Sequence, residues 1–417
     1  MNKQTVKDID VADKRVLMRV DFNVPLQDGV VSDDARILAA IPTIQFLLGQ
    51  GASVVLMSHL GRPKGKPNPS LSLKPVIGAL SQQLGRPVSL AADCIGSEVQ
   101  GMARGLQAGG VLLLENLRFH PEEEGKVEIP EGAGEEEIAA AKSAMKGRQI
   151  SFAQQLATLG DVYVNDAFGT AHRAHASVSI IPSFFEHRVA GFLMEKELEY
   201  LGGALANPQR PFVAILGGAK ISGKIDVISR LLDKVDVLLI GGGMAYTFFL
   251  AQGEGTGNSL VEEEKVSLAL EILEKAGTAG VKLVLPIDTV VADDFSAGAK
   301  TKIVGRGGIE EGWEGLDIGP KSCKLFADEI VKARTVVWNG PMGCFEMAPF
   351  AVGTQAIAQA VADTDCVSII GGGDSASAIK NAGLAKSMTH ISTGGGASLE
   401  FLEGKVLPGV AALCDKT

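Results

Sequence analysis

Glycines stand at four points in the second half of the chain, each directly after an apolar run. They are Gly217–Gly218 and the triplets 241–243, 371–373 and 394–396, and three of the four lead into a plausible helix start. Glycine lets backbone N–H groups approach an anion, and a helix N-terminus adds about half a positive charge. Tight turns also need glycine for steric reasons, so a single turn of this kind indicates little. Four in one half of the chain favour phosphate binding on exposed amides.

Two lysines follow the first of these turns. Residues 213–225 read VAILGGAKISGKI, and from Gly218 the spacing matches a P-loop until Ile225 replaces the final Ser or Thr. Lys220 and Lys224 flank the first predicted helix start and are four residues apart, which places them on one face. Both ammonium groups would then reach a docked phosphate. The alternative is a pair of solvated surface lysines.

An aspartate follows the glycine triplet 371–373. Mg²⁺ prefers one or two carboxylates with phosphate oxygens and water, so Asp374 is a candidate magnesium ligand. Its alternative role is that of a helix N-cap. The stretch GGGDSA also matches the relaxed dinucleotide fingerprint, but it lies near the C-terminus instead of in the first strand–helix unit.

The first half of the chain has cations and polar groups at its predicted strand ends. The candidates are Arg36, Arg62, Arg118 and Arg173, with His59, His172 and His175. A buried unpaired guanidinium is costly, and its planar fork suits carboxylate and phosphate, so the arginines predict an anion site. Asp21 and Asn23 are suited to hydrogen bonding a hydroxyl. The alternative is that Asp21 only forms an ion pair with a nearby arginine, and that the histidines are ordinary polar residues.

Nine short runs rich in Val, Ile and Leu must position these residues. They are 15–20, 52–57, 111–116, 161–166, 212–217, 236–241, 281–286, 335–340 and 366–371. Continuous apolar runs indicate strands covered on both faces, and helical patterns such as 260–276 separate them. The alternation predicts an α/β fold of two lobes, each a largely parallel, Rossmann-like sheet flanked by helices. Ligands bind such sheets at the carboxyl ends of the strands.

The change in chemistry between the two halves places a domain seam near residues 187–206. We interpret that stretch as one long helix that joins a domain of residues 1–187 to a domain of residues 188–405. The acidic segment 121–149 reads as a solvated loop leading to a surface helix, and we assign it no chemistry.

The composition and the cysteine and histidine spacings argue against several kinds of partner, compartment and metal site. A net charge of −10 argues against nucleic acid or an anionic membrane as the main partner. Five scattered cysteines without a C-x-x-C pair indicate reduced, mostly buried thiols in the cytosol. The N-terminal stretch has no apolar signal region, and no apolar run is long enough to span a membrane. No histidine spacing suits zinc with cysteine partners, which argues against a transition-metal site.

Taken together, the motifs resemble those of the phosphoglycerate kinase family along nearly the whole chain. They are RVDFNVP, SHLGRPKG, LLLENLRF, YVNDAFGTAHRAHAS, LGGAKISGKI, IGGGMAYTF, GLDIGP, WNGPMGCFE, GGGDSA and STGGGASLE. The resemblance implies a 3-phosphoglycerate domain, a nucleotide domain, and reversible phosphoryl transfer between 1,3-bisphosphoglycerate and ADP. It also implies that the tail 406–417 packs on the first domain, and that the protein is a cytoplasmic monomer. Two departures, Cys344 for an aliphatic residue and Ala176 for Ser, touch no residue with an implied role.

The resemblance also implies roles for individual residues. The acid substrate would be bound by Asp21, Asn23, Arg36, His59, Leu60, Gly61, Arg62, Arg118 and Arg173. The nucleotide would be bound by Gly218, Lys220, Lys224, Gly241, Gly315, Asn339, Glu346, Gly372, Gly373, Asp374 and Ser375, with Mg²⁺ on Asp374. Catalysis would rest on Arg36, Lys220, Gly372 and Gly395. Phosphates then lie on scattered glycine turns, so the P-loop hydroxyl that Ile225 replaces is not needed.

The implied reaction needs no general base, because the acceptor carboxylate is already an anion. Phosphoryl transfer then depends on positioning and charge stabilisation, for which we expect Arg36 and Lys220 to act on the moving group. Since they lie in different predicted domains, we expect closure about residues 187–206. The alternatives are an NAD-dependent oxidoreductase and a non-catalytic sensor of phosphorylated metabolites.

Overall fold

The computed structural model describes residues 2–416. These residues form two compact units. Unit 1 runs to Glu199 and includes the C-terminal segment from Val406, and unit 2 is Tyr200–Lys405. The division falls inside one helix, and each unit is described by itself below.

Unit 1 is an α/β unit around one six-stranded sheet. Its strands are β1 (Arg15–Arg19), β2 (Leu26–Gln27), β3 (Val30–Val31), β4 (Ser53–Met57), β5 (Ser89–Leu90), β6 (Val111–Leu113), β7 (Val162–Asn165) and β8 (Arg188–Ala190). Its helices are α1 (Ala35–Gly49), α2 (Val76–Leu84), α3 (Ser97–Gly105), α4 (Pro121–Glu124), α5 (Glu135–Ala157) and the first part of α6 (Phe192–Ala206).

Unit 2 has a second six-stranded sheet and a smaller antiparallel one. Its strands are β9 (Phe212–Leu216), β10 (Val237–Ile240), β11 (Gly255–Thr256), β12 (Lys282–Val284), β13 (Asp288–Ala292), β14 (Thr301–Gly305), β15 (Gly308–Ile309), β16 (Glu314–Ile318), β17 (Thr335–Asn339), β18 (Val367–Gly371) and β19 (His390–Ile391). Its helices after α6 are α7 (Ile225–Leu232), α8 (Met244–Ala251), α9 (Val266–Ala279), α10 (Pro320–Ile330), α11 (Val352–Ala362), α12 (Gly373–Asn381) and α13 (Gly396–Leu402). The chain ends in unit 1 with α14 (Pro408–Ala411).

Both large sheets are parallel throughout, as the apolar runs predict. The order is β5-β6-β4-β1-β7-β8 in unit 1 and β12-β10-β9-β17-β18-β19 in unit 2. All nine predicted strands are present, and the short strands β5, β8 and β19 extend the edges. In unit 1, the strands that follow β1 are first added on one side of it and, from β7 onward, on its other side. In unit 2 the same change of side occurs between β9 and β17. Such switch points leave a crevice at the carboxyl ends of the strands, where α/β sheets bind ligands.

Burial of the strands on both faces explains their sequences. Every residue of β4 and β9 is buried, and in β1 only Arg15 is half-buried. Helix α1 turns a stripe that includes Ile37, Ile44 and Leu47 toward the core, at the spacing expected of an amphipathic helix. Apolar side chains on both sheet faces therefore fix the strands, and the strands fix what lies at their ends.

The prediction of a single helix over residues 187–206 is wrong at its start. Residues 188–190 form β8, which pairs with β7, and α6 begins at Phe192. Two side chains of unit 1 hold this start: Thr43 Oγ1 accepts a hydrogen bond from the Phe192 N–H at 2.9 Å, and Asp166 Oδ1 accepts one from the Met194 N–H at 3.1 Å. For residues 188–190, pairing with β7 therefore determines the conformation, although their sequence pattern is typical of a helix.

The C-terminal segment forms backbone hydrogen bonds with the rest of unit 1. Gly409 N–H donates to Ala171 O at 2.8 Å, and Cys414 N–H donates to Arg188 O at 2.9 Å. The Lys3 ammonium lies 2.7 Å from an Asp415 carboxylate oxygen. These contacts link the two ends of the chain to the β8 edge of the sheet.

All five cysteines are free thiols, but only Cys94 is buried, so the prediction of mostly buried thiols is wrong. Among residues 2–416, no helix is both long and apolar enough to cross a membrane.

Candidate functional sites

The first candidate site is a cluster of charged side chains at the switch point of unit 1, here called the cationic cluster. Arg19, the last residue of β1, has a fully buried side chain. Its Nε donates to Ser177 Oγ at 2.9 Å, its Nη2 lies 3.3 Å from His59 Nδ1, and its Nη1 donates to the carbonyl of Val20. Arg19 is therefore the buried arginine of the site, whereas sequence reasoning singled out others.

Glu123 balances this buried charge. Its Oε1 accepts a hydrogen bond from Ser177 Oγ at 2.6 Å and its Oε2 accepts one from the Ser177 N–H at 3.0 Å. Oε1 also lies 4.0 Å from Arg19 Nη2 and 3.8 Å from His175 Nδ1. The interpretation of residues 121–149 as a segment without chemistry is thus wrong for Glu123. One glutamate of three consecutive ones faces inward from α4, and nothing in the run EEE indicates which one.

Asp21, Arg36 and His59 form a second part of the cationic cluster, in which His59 is buried and Arg36 is the most exposed of the three. Arg36 Nη1 donates to Asp21 Oδ2 at 2.9 Å, and Asp21 Oδ1 lies 3.9 Å from His59 Nδ1. The arginine partner that the sequence left open for Asp21 is Arg36. Since the Arg36 side chain is 36% exposed, one face of its guanidinium is open to an incoming anion.

Asn23, Gly61 and Arg118 are joined through the loop after β4. The Gly61 N–H donates to Asn23 Oδ1 at 2.8 Å, and Arg118 Nη1 donates to Gly61 O at 2.9 Å. Asn116 Nδ2 donates a hydrogen bond to the carbonyl oxygen of Leu60, the residue before Gly61, at 2.7 Å. Arg118 Nε is buried, makes no hydrogen bond among the described residues, and lies 3.7 Å from Glu124 Oε1.

Burial keeps the three histidines of this region neutral at pH 7. It lowers the pKa of His59 well below its usual value, with nearby Arg19 acting in the same direction. Burial likewise lowers the pKa of His172 and of His175 to about 4. The positive charge of the cationic cluster therefore resides on its arginines.

Arg62 and Arg173 are exposed, unlike Arg19 and Arg118. No hydrogen bond or ion pair of either guanidinium is seen among residues 2–416. Both side chains are thus free to reach a ligand at the rim of the cluster.

The second candidate site is a set of glycine turns at the switch point of unit 2, here called the amide cluster. Gly217 N–H donates to Asn339 O at 3.0 Å, and Gly218 N–H donates to Pro341 O at 2.9 Å. A Cβ on Gly340 would lie 2.2 Å from Gly217 O, and one on Gly242 would lie 2.5 Å from Gly218 N. These glycines are required by the close approach of two backbones, which is the steric explanation left open above.

Close approach of another backbone does not explain the glycine at position 373. Its φ is not in the left-handed region, and a Cβ built there meets no atom within 4 Å. Gly372 is the N-cap of α12 with φ +87°, so Gly373 is the first helical residue and its N–H has no partner within the helix. An open space above a bare helix N-terminus is a site for an anion.

Gly395 adjoins α13 with φ +50° and also has no atom within 4 Å of a built Cβ. Gly241 and Gly315 are buried, and a Cβ on them would meet Met342 Sδ at 2.5 Å and Tyr246 Oη at 2.1 Å. For these two, packing alone accounts for the glycine.

Lys224 and Asn339 meet inside the amide cluster, where Lys224 Nζ donates to Asn339 Oδ1. Burial lowers the pKa of Lys224 to about 8, against the opposing charges of Asp374 and Glu403. Lys220 is exposed in the turn ahead of α7, so the two lysines are not equivalent.

Asp374 is the second residue of α12 and is exposed, so it is not the helix N-cap. The next residue, Ser375, is buried, and its Oγ accepts a hydrogen bond from the Gly340 N–H at 2.6 Å. This bond fixes the start of α12 to the end of β17. Glu346 is exposed in the segment after β17, and no polar contact of its side chain is seen among the described residues.

Comparison with known proteins was made for the whole chain. The sequence profile described as "Phosphoglycerate kinase" matches residues 6–405. The phosphoglycerate kinase of Chloroherpeton thalassium is 59% identical over 416 residues, covering 99% of each chain, and that of Moorella thermoacetica is 55% identical, covering all of each chain. Among solved structures, phosphoglycerate kinase from Coxiella burnetii matches with a TM-score of 0.84 at 39% identity, covering 98% of each chain. That from Pyrococcus horikoshii matches with a TM-score of 0.80 at 31% identity and the same coverage.

Proposed function

The chain belongs to the phosphoglycerate kinase family, and from this premise we propose that its two clusters divide the substrates of one reaction. The reaction is reversible transfer of a phosphoryl group from 1,3-bisphosphoglycerate to ADP, giving 3-phosphoglycerate and ATP, a step of glycolysis. We assign the glycerate substrates to the cationic cluster of unit 1 and the nucleotides to the amide cluster of unit 2. The observation that carries this division is that one switch point is lined by arginines and the other by open glycine turns.

The cationic cluster suits a small acid with a carboxylate and a phosphate. Arg36 and Arg118 each have a donor face that is not fully used within the protein, and Arg62 and Arg173 extend from the rim. Planar guanidinium groups bind both kinds of anion bidentately. Asp21 and Asn23 lie beside them and would hydrogen-bond the substrate hydroxyl, with His59 and the backbone of Leu60 and Gly61 completing the site.

The amide cluster suits a chain of phosphates. Gly372 and Gly373 present backbone N–H groups near Lys224, and Lys220 extends from the turn that contains Gly218, whose own N–H is bonded to Pro341 O. Gly241, Gly315, Asn339, Glu346 and Ser375 complete the proposed nucleotide site. Because glycine has no Cβ, phosphate oxygens approach the amides directly.

Asp374 is the residue that would hold Mg²⁺. Its carboxylate is exposed, lies in the first turn of α12 and acts electrostatically on Lys224, so it stands beside the proposed phosphates. One carboxylate with phosphate oxygens and waters is a usual Mg²⁺ environment, and it neutralises charge on the nucleotide. Asp374→Asn should weaken nucleotide binding in the presence of Mg²⁺ and leave 3-phosphoglycerate binding unchanged, as titration calorimetry would show. Equal loss of both ligands would make Asp374 a structural residue.

Catalysis is a matter of positioning and charge in this proposal. The carboxylate that accepts the phosphoryl group is ionised at pH 7, so no proton must be removed from it. We assign the stabilisation of charge on the moving group to Arg36 and Lys220, with backbone N–H groups at Gly372 and Gly395.

Transfer requires the two substrates to reach each other without intervening water, which would hydrolyse the acyl phosphate. We therefore propose that binding of both substrates changes the conformation about residues 187–206. Small-angle X-ray scattering should show a smaller radius of gyration with both ligands than with either alone. An unchanged radius would contradict closure.

We further propose that the protein is a cytoplasmic monomer with no nucleic-acid or membrane partner. Its net charge of −10 would repel polyanionic surfaces. Sedimentation at several concentrations would test the oligomeric state.

The decisive experiment is a coupled assay of ATP formation from 1,3-bisphosphoglycerate and ADP. Turnover that depends on both substrates supports the proposal. Tight binding of both without turnover would indicate a sensor of phosphorylated metabolites. Protection against heat by NAD but not by ATP would indicate an oxidoreductase.

A further inference from the structure

Three side chains with metal-binding chemistry lie together in unit 1, apart from the arginines of the cationic cluster. They are Asp93, Cys94 and His120, and their ligand atoms all lie within 4.8 Å of one another. Asp93 and Cys94 follow β5, whereas His120 directly precedes α4. Because the fold alone brings the thiol and the imidazole together, no short spacing motif indicates this site.

The donor set is one sulfur, one nitrogen and one oxygen. Zn²⁺ takes these donors at about 2.3, 2.0 and 2.1 Å in a tetrahedron, which puts the ligand atoms roughly 3.3–3.6 Å apart. The ligand atoms lie within 4.8 Å of one another, and His120 Nε2 is 2.7 Å from Asp93 Oδ1, so binding requires side-chain adjustments of about 1 Å in both directions. We propose that Asp93, Cys94 and His120 bind a divalent transition-metal cation of the zinc class, with the fourth position open to water.

The cluster has an entry path. The Asp93 and His120 side chains are 50% and 24% exposed, whereas Cys94 is completely buried beneath them. A cation arriving from solvent would meet the carboxylate and imidazole first and then the sulfur. A closed set of buried ligands would offer no such route.

The side chains are held in place without a cation. His120 Nε2 and Asp93 Oδ1 are 2.7 Å apart, and the same oxygen accepts a hydrogen bond from the Cys94 N–H at 2.6 Å. The His120 ring stacks on Phe152 with centroids 5.2 Å apart. The ring stacking and the bond from the Cys94 N–H orient the ligands and reduce the conformational entropy lost on binding. The bond between His120 and Asp93 must break, because Nε2 cannot donate to Oδ1 and bind a cation at the same time.

Binding exchanges protons and involves no oxidation. In the free protein a neutral His120 ring donates its Nε2 proton to Asp93 Oδ1. For the cation to take the Nε2 lone pair, the ring loses this proton to solvent and gains one on Nδ1. The Cys94 thiol gives its proton to solvent and binds as thiolate. One proton is released for each cation bound, and Asp93 supplies a charge that is already present.

The site is connected to the cationic cluster through α4. His120 immediately precedes this short helix, which carries Glu123, and Glu123 is bonded to Ser177 beside Arg19. A cation on His120 would therefore fix the start of the helix that supplies the counter-charge of the cluster. We expect a bound cation to raise the thermal stability of the protein.

Titration of the full chain with Co²⁺ tests the proposal, because cobalt–thiolate bonds give a near-ultraviolet charge-transfer band and tetrahedral cobalt gives visible bands. We expect one equivalent of Co²⁺ to produce both, Zn²⁺ to displace it, and Mg²⁺ to leave it in place because Mg²⁺ requires oxygen ligands. Cys94→Ser should abolish the charge-transfer band, and His120→Gln should weaken binding at least about tenfold.

Cys414→Ser is the matched control, since this thiol is also in unit 1 but its one hydrogen bond seen among residues 2–416 is to the carbonyl of Glu186 at 3.6 Å. It should leave the bands unchanged. Absence of a thiolate band in the wild type, or a band that survives Cys94→Ser, would overturn the proposal. If Cys94→Ser does not fold, the His120→Gln and Asp93→Asn variants test the proposal instead. Unchanged Co²⁺ affinity in both of these variants would also overturn the proposal.

Discussion

The two clusters present positive potential by different physical means. In unit 1 the charge is on guanidinium groups, and the protein must balance it with Glu123 and Asp21 while burial keeps nearby histidines neutral. In unit 2 we propose that the potential comes largely from backbone N–H groups at the start of α12, beside Lys224. Backbone amides need no counter-charge but require glycine wherever the approach is close. A site made of side chains is therefore sensitive to changes of charge, and a site made of amides is sensitive to the addition of a single carbon atom.

The largest expected effect is on the side-chain site. Arg36→Ala should lower kcat by about 10²–10³, the usual loss for one preorganised group that stabilises charge. ADP affinity should be unchanged, because Arg36 lies in unit 1. Steady-state kinetics and ADP titration measure the two quantities, and Arg104→Ala, which removes an exposed arginine of α3, is the control. Near-normal turnover in Arg36→Ala would remove this residue from the mechanism.

Removal of the buried counter-charge should come next. Glu123→Gln leaves the buried Arg19 without its anion and weakens the bonds to Ser177, so the free energy of unfolding should fall by about 2 kcal/mol. Glu128→Gln, an exposed change nearby, should have little effect. Denaturant unfolding followed for each variant tests this, with 3-phosphoglycerate affinity as a second measurement. If Glu123→Gln is as stable as the wild type, Glu123 does not balance the cluster.

Adding a methyl group to a glycine of the amide cluster should weaken nucleotide binding, whereas the same change at a glycine elsewhere should not. Gly373→Ala places a Cβ in open space at a normal φ, so the fold should keep its stability while nucleotide affinity falls by about tenfold, because phosphate can no longer reach the amide. Gly277→Ala, in the last turn of α9 and also without contacts, should raise stability by up to about 1 kcal/mol and leave affinity unchanged. Melting temperatures and ADP titration give both values. Undiminished affinity in Gly373→Ala would contradict amide binding at α12.

The smallest effect is a pH dependence from Lys224. Burial sets its pKa at about 8 in the free protein, so its ammonium is present below that pH and is lost above it. Nucleotide affinity should therefore fall as pH rises above about 8, by less than tenfold per unit, since a bound phosphate raises the lysine pKa again. Lys224→Arg stays charged and should remove the dependence. A pH profile identical in both proteins would assign the titration to another group.

Much of this arrangement follows from sequence pattern. The continuous apolar runs predicted the nine main strands because burial on both faces of a parallel sheet leaves no polar position to interrupt them. Asp21 just after β1, and glycines at the ends of other strands, are the basis of the prediction that anions bind there. These are local rules, readable from a few residues at a time.

Other parts of the sites depend on which distant residues come together. Nothing local distinguishes Glu123 from its neighbours Glu122 and Glu124, yet only Glu123 is buried against Arg19 and Ser177. The strand at residues 188–190 could not be recognised from its helix-like pattern, because its conformation depends on pairing with β7.

The sequence by itself determined the α/β architecture, the separation of arginine-rich and glycine-rich halves, and the family, because burial and backbone freedom are properties of residue type. The tertiary structure alone decided which glycines serve packing and which leave an amide open, which arginine is buried, and that Asp93 and Cys94 lie beside His120. Those outcomes depend on distances between residues far apart in the chain, which are fixed only when the sheets bring the ends of their strands to a common edge.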